Sequence, residues 1–456
     1  MVEAIANGIE DKLIDGLSFK LNPGASYVVD RRSVTFVPQG SNIYKTSAGT
    51  KLIRIVLTGD NWLDPSTFRI MFDVNNDDTT ANRMLRVLGG PWCFFRRMRV
   101  LCAGQLVEDI MDYNRIHEMM HIMIANESRD NDAAEAFGNM WSSQDWQMGK
   151  TNADNFRGIP PGQKLTVLFK PLSGILNQNK MLPIRYAPIT LELELVDDVT
   201  EPIVSVFGGA DTSFKATNTS VLWSFTNVQV KVDVCTLDNA LDNSYAQHLL
   251  SGKSLPISYN TFVSQMQTIA GQDAPSINVS RALTRLKSVF ITLTKDAVAN
   301  RANKPGMKFW NDFFSPMWEK NYAGTWTHDP DGEFEFQLQI GSKLFPEYPV
   351  RSHNEAFYQL KKTLGVQASA VHNFDISAIE YRSNKFVLGT DCEKVLDAGF
   401  TGLNTRAGDL MTVKFKYAGK GDLENGSYAN LADRLHIVLH SDQIMEIRDT
   451  GVQVFD

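Results

Sequence analysis

Residues Pro91 to Ile124 read PWCFFRRMRVLCAGQLVEDIMDYNRIHEMMHIMI. Taken by period, the stretch is strand, glycine turn, short strand, helix. Phe94 to Leu101 alternates in part, Gly104 breaks the run, and Leu106 to Ile110 leads into a helix. On that helix Tyr113, Ile116, Met120 and Met123 recur at helical spacing and give one apolar face. The same residues carry a second reading. His117-Glu118-Met119-Met120-His121 is a literal H-E-x-x-H. On a helix this sets two imidazoles one turn apart, beside a carboxylate that can serve as general base for a zinc-bound water. The structural reading gains weight because a unit of the same build returns at Phe334 to Lys362. That copy keeps His353 and Glu355 but has no paired histidine.

Working outward, the chain has 456 residues, enough for two domains of ordinary size. Hydrophobic residues make up 43% and charged residues 21%, the balance of a globular protein. The aromatic share is 10%, led by 26 Phe, and long helical runs are few, which predicts a mainly β protein. Net charge is −7 and neither end is a basic block. A protein that coats nucleic acid by itself needs a Lys/Arg footprint, so that class is disfavoured. Enclosing nucleic acid without gripping it is not. Cys93, Cys102, Cys235 and Cys392 form no C-x-x-C and no scaffold spacing. They are expected reduced and buried, in an intracellular compartment. The first residues, MVEAIANGIEDKLIDGL, are acidic and amphipathic, so neither a signal peptide nor secretion is expected. No apolar run reaches the ~20 residues of a membrane span.

Along the chain, residues 3–15 read as a short helix. Tyr27 to Asp30 and Ser33 to Val37 read as two short strands, and Lys51 to Leu57 as a third. Asn61 to Ser66 reads as a loop before a strand at Thr67 to Val74. Residues 125–163 read as a long polar loop with Trp141 and Trp146, the kind of loop that is usually functional. Lys164 to Phe169, Ile189 to Val196 and Val228 to Val234 read as strands, the second with strict period two. Leu237 to Leu250 reads as a helix stopped by Gly252. Further strands follow at Ile257 to Tyr259, Phe262 to Met266, Ser288 to Thr294, Phe334 to Ile340, 384–388, 411–417, 435–440 and 451–455. Between them, 297–332 is a loop holding Trp310, Phe313, Phe314, Trp318, Tyr322 and Trp326.

The halves repeat one another. Leu57-Thr58-x-Asp60 returns as Leu293-Thr294-x-Asp296, and the strand ending at Gly104 returns as the strand ending at Gly341. Asn227-Val-Gln-Val returns as Gly451-Val-Gln-Val. Many short strands with turns between them indicate sandwiches or barrels. The expected fold is all-β with a few short helices: two tandem jelly-roll β-sandwiches. The expected division is an N-terminal arm at 1–25, a first jelly roll at 26–235, a linker helix at 236–255 and a second jelly roll at 256–456.

This pattern resembles the double jelly-roll major capsid proteins of polinton-like viruses, which group with those of virophages, adenoviruses and the large DNA viruses. The likeness is carried by DRRSVTF at Asp30 to Phe36, LTGDNWLDPSTFRIMF at Leu57 to Phe72, PWCFFRRMRVL at Pro91 to Leu101 and QLQIGSKLFP at Gln337 to Pro346. It runs over nearly the whole chain. It implies a homotrimer forming a pseudo-hexagonal capsomer, and an icosahedral shell of capsomers around double-stranded DNA bound without sequence preference. It also implies penton and minor capsid proteins as partners, a virion location after assembly inside the host cell, and no catalysis, cofactor or metal. Trp310, Phe313, Phe314, Trp318, Tyr322, Trp326, Trp141 and Trp146 are the candidate interface residues, since interface aromatics often carry much of the binding energy.

Three other readings compete. A zinc metallopeptidase would use His117 and His121 as metal ligands with Glu118 as base, but no third histidine extends the motif. A tandem β-sandwich module would stack glycans or a protein partner on the aromatic loops. An amidase on paired jelly rolls would need converging acids, with Glu192, Glu194, Asp197 and Asp198 as candidates. Alternation puts Glu192 and Glu194 on the wet face of a strand, where charge is expected anyway.

Overall fold

The computed structural model describes residues 27–46, 50–81, 83–138, 158–203, 220–269, 272, 274–294, 313, 315, 334–366, 374–383, 385–395, 399–406, 410–416 and 434–456. The expected arm at 1–25 and the helix at 3–15 lie outside them.

The first half supplies β1 (Val28–Phe36), β2 (Ile43–Tyr44), β3 (Leu52–Leu57), β4 (Trp62–Asn76), β5 (Phe95–Cys102) and β6 (Gln105–Met111). Two helices follow, α1 (Tyr113–Ile122) and α2 (Asn126–Glu135). Then come β7 (Lys164–Phe169), β8 (Leu182–Pro183), β9 (Ile189–Leu195), β10 (Trp223–Leu237) and the helix α3 (Asn239–Leu250). The second half supplies β11 (Leu255–Thr268), β12 (Ser276–Val279), β13 (Leu286–Thr294), β14 (Glu335–Ile340) and β15 (Lys343–Val350). After α4 (His353–Thr363) and α5 (Ala378–Ser383) come β16 (Leu388–Asp391), β17 (Met411–Lys416), β18 (Arg434–Arg448) and β19 (Gly451–Phe455).

Four antiparallel sheets result. Their orders are β1-β10-β4-β7 and β3-β9-β5-β6 in the first half, and β11-β18-β13-β16 and β12-β17-β14-β15 in the second. Strands β2, β8 and β19 attach to β10, β4 and β18. With these three set aside, each half has the same order: first, last, third and sixth strands in one sheet, second, seventh, fourth and fifth in the other. That is the jelly-roll order, completed twice.

The pattern of each strand explains its place. On β9, Ile189, Leu191, Leu193 and Leu195 are buried, while Thr190, Glu192 and Glu194 alternate with them on the other face. Between the sheets lies an aromatic layer, with Phe72, Phe169 and Phe225 from the partner sheet meeting Phe94 and Phe95 at the start of β5. Phe72 and Phe225 have ring centroids 4.4 Å apart, Phe94 and Phe225 5.0 Å, and Phe95 and Phe169 6.0 Å. The outer face of β3-β9-β5-β6 is an ion-pair ladder. Glu192 bonds Arg99 at 2.8 Å and Asp109 takes two bonds from Arg97 at 2.7 Å. Partly exposed pairs of this kind contribute only about 0–1 kcal/mol each. The apolar interior holds the sandwich.

Several expected boundaries move. The loop read at 61–66 is strand: β4 runs unbroken through Pro65. The register with β10 shifts between Lys231 and Asp233, and this irregularity takes up the residue that cannot donate to the ladder. Likewise β1 is one strand rather than two. Its Arg31 bonds Asp64 at 2.8 Å and Asp233 at 3.0 Å across the sheet. Part of the polar loop at 125–163 is the helix α2, and the strand read at 384–388 begins at Leu388.

Only one of the three repeat markers joins equivalent elements. Leu57 ends β3, the second strand of its roll, whereas Leu293 lies in β13, the third of its own. Asn227 lies inside β10, but Gly451 opens β19, a strand beyond the eight. Asp296 lies outside the described residues. The glycine hairpin is the true repeat. Gly104 (φ 82°) turns β5 into β6 and Gly341 (φ 59°) turns β14 into β15, each followed by a helix. Both turns need the left-handed backbone that glycine adopts freely.

Candidate functional site

Helix α1 leaves the hairpin at Asp112, whose φ of 49° places it in the left-handed region. Its carboxylate makes no cap bond to the helix. The side chain points instead into the junction between the two rolls. By contrast α4, the repeat copy, is capped in the usual way. Ser352 accepts from Glu355 N at 3.1 Å, and the Glu355 carboxylate accepts from Arg351 N at 3.0 Å.

The H-E-x-x-H residues lie on α1 against Trp92. The His117 ring stacks on the indole at 4.0 Å, and the His121 ring lies tilted against it at 4.6 Å. Glu118 accepts a hydrogen bond from Trp92 Nε1 at 2.8 Å. His117 Nε2 is 3.4 Å from the Lys170 carbonyl. His121 Nε2 is 4.0 Å from Asp132 Oδ2. Burial pushes both imidazoles down to about 3 and pushes the Glu118 carboxyl up. Each polar group thus has a role in packing around one indole. Among the described residues no group of three or more His, Cys, Asp or Glu is placed to hold a metal ion.

The acidic candidates of the amidase reading do not converge. Glu192 is tied to Arg99 and Arg54, Asp197 to Lys51 and Arg96, and Asp198 accepts from Thr200 N and Oγ1. Each belongs to a local pair or turn. Of the eight candidate interface aromatics, Phe313 alone lies among the described residues. It is buried, with the Arg115 guanidinium 4.8 Å above its ring, and so packs inside the chain. Trp141, Trp146, Trp310, Phe314, Trp318, Tyr322 and Trp326 lie outside the described residues.

A buried polar cluster joins the rolls. Arg115 of α1 is fully buried, and its Nη2 and Nε donate to Thr292 Oγ1 of β13 at 2.8 and 3.2 Å. Asp112 accepts from Ser264 of β11 at 3.2 Å, and its carboxylate lies 3.6 Å from His436 Nε2 of β18. Burial alone would raise the Asp112 carboxyl, but His436 and Ser264 outweigh it and hold it below its usual range. Ser264 Oγ also lies 3.0 Å from the Met111 carbonyl, so its one proton is shared between the two acceptors, and Tyr259 Oη lies 2.9 Å from the Val107 carbonyl. Glu108 of β6 is buried beside them. It accepts from Ser173 Oγ and from Gly174 N at 2.8 Å. Burial still pushes its carboxyl up to about 7. At Gly174 the two rolls are in close contact: a Cβ there would sit 1.5 Å from the Asn260 carbonyl oxygen. A cleft of about 380 Å³ opens on this junction, lined by Gly174, Tyr259, Phe262, Phe400 and His440.

None of these junction residues stood out in the sequence. An arginine beside Ile116 on an amphipathic helix looks like a solvent-facing charge. Only the fold shows that this flank of α1 meets a second sandwich.

No protein-family model matches the chain, and no curated protein matches it. Solved structures do. PBCV-1 VP54, fitted into a reconstruction of the virophage Sputnik, aligns at 10% identity over 96% of this chain and 100% of its own, with a TM-score of 0.61. The Sputnik virophage structure aligns at 8% identity over 96% and 90%, with a TM-score of 0.59. The Faustovirus major capsid protein aligns at 8% identity over 94% and 92%, with a TM-score of 0.54. These neighbours are double jelly-roll major capsid proteins. At such identities the likeness establishes the fold: this chain is a double jelly roll.

Two outcomes follow for stability. Gly174→Ala drives a methyl into the Asn260 carbonyl, so stability should fall by about 1–3 kcal/mol, read as a lower urea midpoint. Gly399→Ala meets nothing within 4 Å and should leave it unchanged. An unchanged midpoint in Gly174→Ala would contradict the tight junction. The histidines give a pH effect of defined sign. Their folded values lie below the ordinary 6.5, so the unfolded chain takes up protons that the folded chain refuses. Stability is then full above pH 6.5 and falls as pH drops toward 3, by on the order of 2 kcal/mol per histidine at pH 5. In His121→Gln, unfolding curves between pH 6 and 4 should lose one proton of slope, and an identical slope would refute the buried neutral ring.

Proposed function

We propose that this chain is a viral major capsid protein. Three copies form a pseudo-hexagonal capsomer, and capsomers tile an icosahedral shell that encloses double-stranded DNA. The observation that carries this reading is the jelly-roll order completed twice along one chain. The two rolls are joined by buried polar contacts into a block that covers 96% of this chain against VP54. Stiff sandwiches with a bonded junction suit a building element whose shape sets a lattice.

The remaining features support the same reading. A net charge of −7 fits a shell that holds DNA without phosphate or base contacts. Packing of His117, Glu118 and His121 around Trp92 makes α1 a structural helix, so the protein works by assembly rather than catalysis. Its partners are copies of itself, with penton and minor capsid proteins closing the shell, and its place is the virion. Among the described residues no helix is long and apolar enough to cross a membrane. The working division is an arm at 1–25, rolls at 26–235 and 256–456, and a linker helix at 236–255. The aromatic stretch at 297–332 adds contacts around the trimer.

Native mass spectrometry tests this reading. The expected species is a trimer of about 153 kDa, three times the 51.1 kDa chain, unchanged by EDTA. A monomer, or an oligomer that a chelator dissolves, would overturn it. Trp318→Ala with Trp326→Ala should weaken that trimer while leaving the β signature in circular dichroism.

A further inference from the structure

A short segment after β7 closes the seam between the rolls. Its Gly174 lies so near Asn260 of β11 that a Cβ would sit 1.5 Å from the Asn260 carbonyl oxygen. One side chain of β6 anchors this segment. Glu108 Oε1 accepts from Gly174 N at 2.8 Å, and Oε2 accepts from Ser173 Oγ and from Ile175 N at 3.4 Å. Ser173 in turn accepts from Leu176 N at 3.3 Å. Ser173 and Glu108 are 0% and 1% exposed, so the anchor is dry.

The surroundings of Glu108 hold no charge that would balance its own. Cys102 of β5, Tyr113 of α1 and Tyr259 of β11 face it. Burial pushes all three up, Cys102 to about 12, so each is neutral at pH 7. Among the described residues no lysine, arginine or histidine pairs with Glu108. Farther along the seam, Arg115 bonds Thr292, and Asp112 is held by Ser264 and His436. A carboxylate buried without a cation is costly, so the protonated form is favoured. Water is nevertheless close. Ser173, Gly174, Tyr259 and Asn260 line the cleft at the junction, with Lys287, His440 and Asp442 on its far side. Lifting that one layer would hydrate Glu108.

We infer that Glu108 is a pH latch on the seam: with its proton it keeps the segment at 172–178 shut against β11, and its ionisation lets that segment lift and water enter. The latch lies within one chain, so it stands whether or not copies of the chain form a trimer. Burial sets its sign. The folded carboxyl titrates at about 7, against an ordinary 4.5. Its stabilising share is therefore full below pH 4.5 and is lost as pH rises through 7. His440 acts in the opposite sense. Burial pushes its imidazole down to about 3, so its share is full above 6.5 and lost in acid.

Hydrogen exchange of residues 172–178, read by mass spectrometry on the full chain and corrected for the intrinsic rate at each pH, tests the latch. The wild type is compared with Glu108→Gln. His440 acts alike in both chains, so the ratio of their opening constants reports Glu108 alone. That ratio should rise by on the order of tenfold from pH 6 to pH 8 and then level off. A constant ratio would overturn the latch. Ser173→Ala gives a second reading that leaves Glu108 in place. It takes one donor from the carboxylate, so the rise should extend to higher pH than in the wild type. A rise that ends at the wild-type pH would overturn the latch as well.

Discussion

Arg115 is a cation with no access to water, and Thr292, which takes two of its hydrogen bonds, belongs to the other jelly roll. Losing Thr292 while Arg115 stays enclosed would remove hydrogen bonds that water cannot replace, at a cost of about 1–3 kcal/mol, so the seam selects which side chains meet across it. From β6, the Val107 and Met111 carbonyls accept from Tyr259 and Ser264 of β11. These bonds fix how the two sandwiches sit against each other. The backbone at Asp112 serves this end: a left-handed residue turns the chain so that α1 starts at the junction and its carboxylate meets Ser264 rather than the helix.

Apolar layers hold each roll, and the polar seam sets how the rolls sit. A jelly roll has four edge strands, and open edges invite pairing with other chains. Here the seam covers much of β6, while β1 and β15 carry exposed apolar side chains, Val29 and Tyr348 among them.

The sequence showed this architecture unevenly, for physical reasons. Strict alternation in β9 and β14 exposed their buried faces, and the glycine hairpins at Gly104 and Gly341 marked the repeat. Those signals are local. Strand β4 was hidden because Pro65 reads as a stop, and only the register shift opposite it lets a strand pass through. Two repeat markers, at Leu57 and Leu293 and at Asn227 and Gly451, matched by letters while lying on different strands. Short apolar runs recur in any β protein. The H-E-x-x-H motif is fully local and suggested chemistry, but Trp92, which gives its three polar side chains a packing role, lies 25 residues before His117. Arg115, Glu108 and Gly174 were the least visible, because their meaning depends on residues more than 60 positions away.

The central claim is that buried polar contacts from α1 and β6 join the first jelly roll to the second. A high-resolution cryo-electron microscopy structure tests it most directly. The account predicts Arg115 against Thr292, Asp112 against Ser264 and Gly174 against Asn260 across one seam. Two rolls that meet through other residues, with Arg115 in solvent, would contradict it.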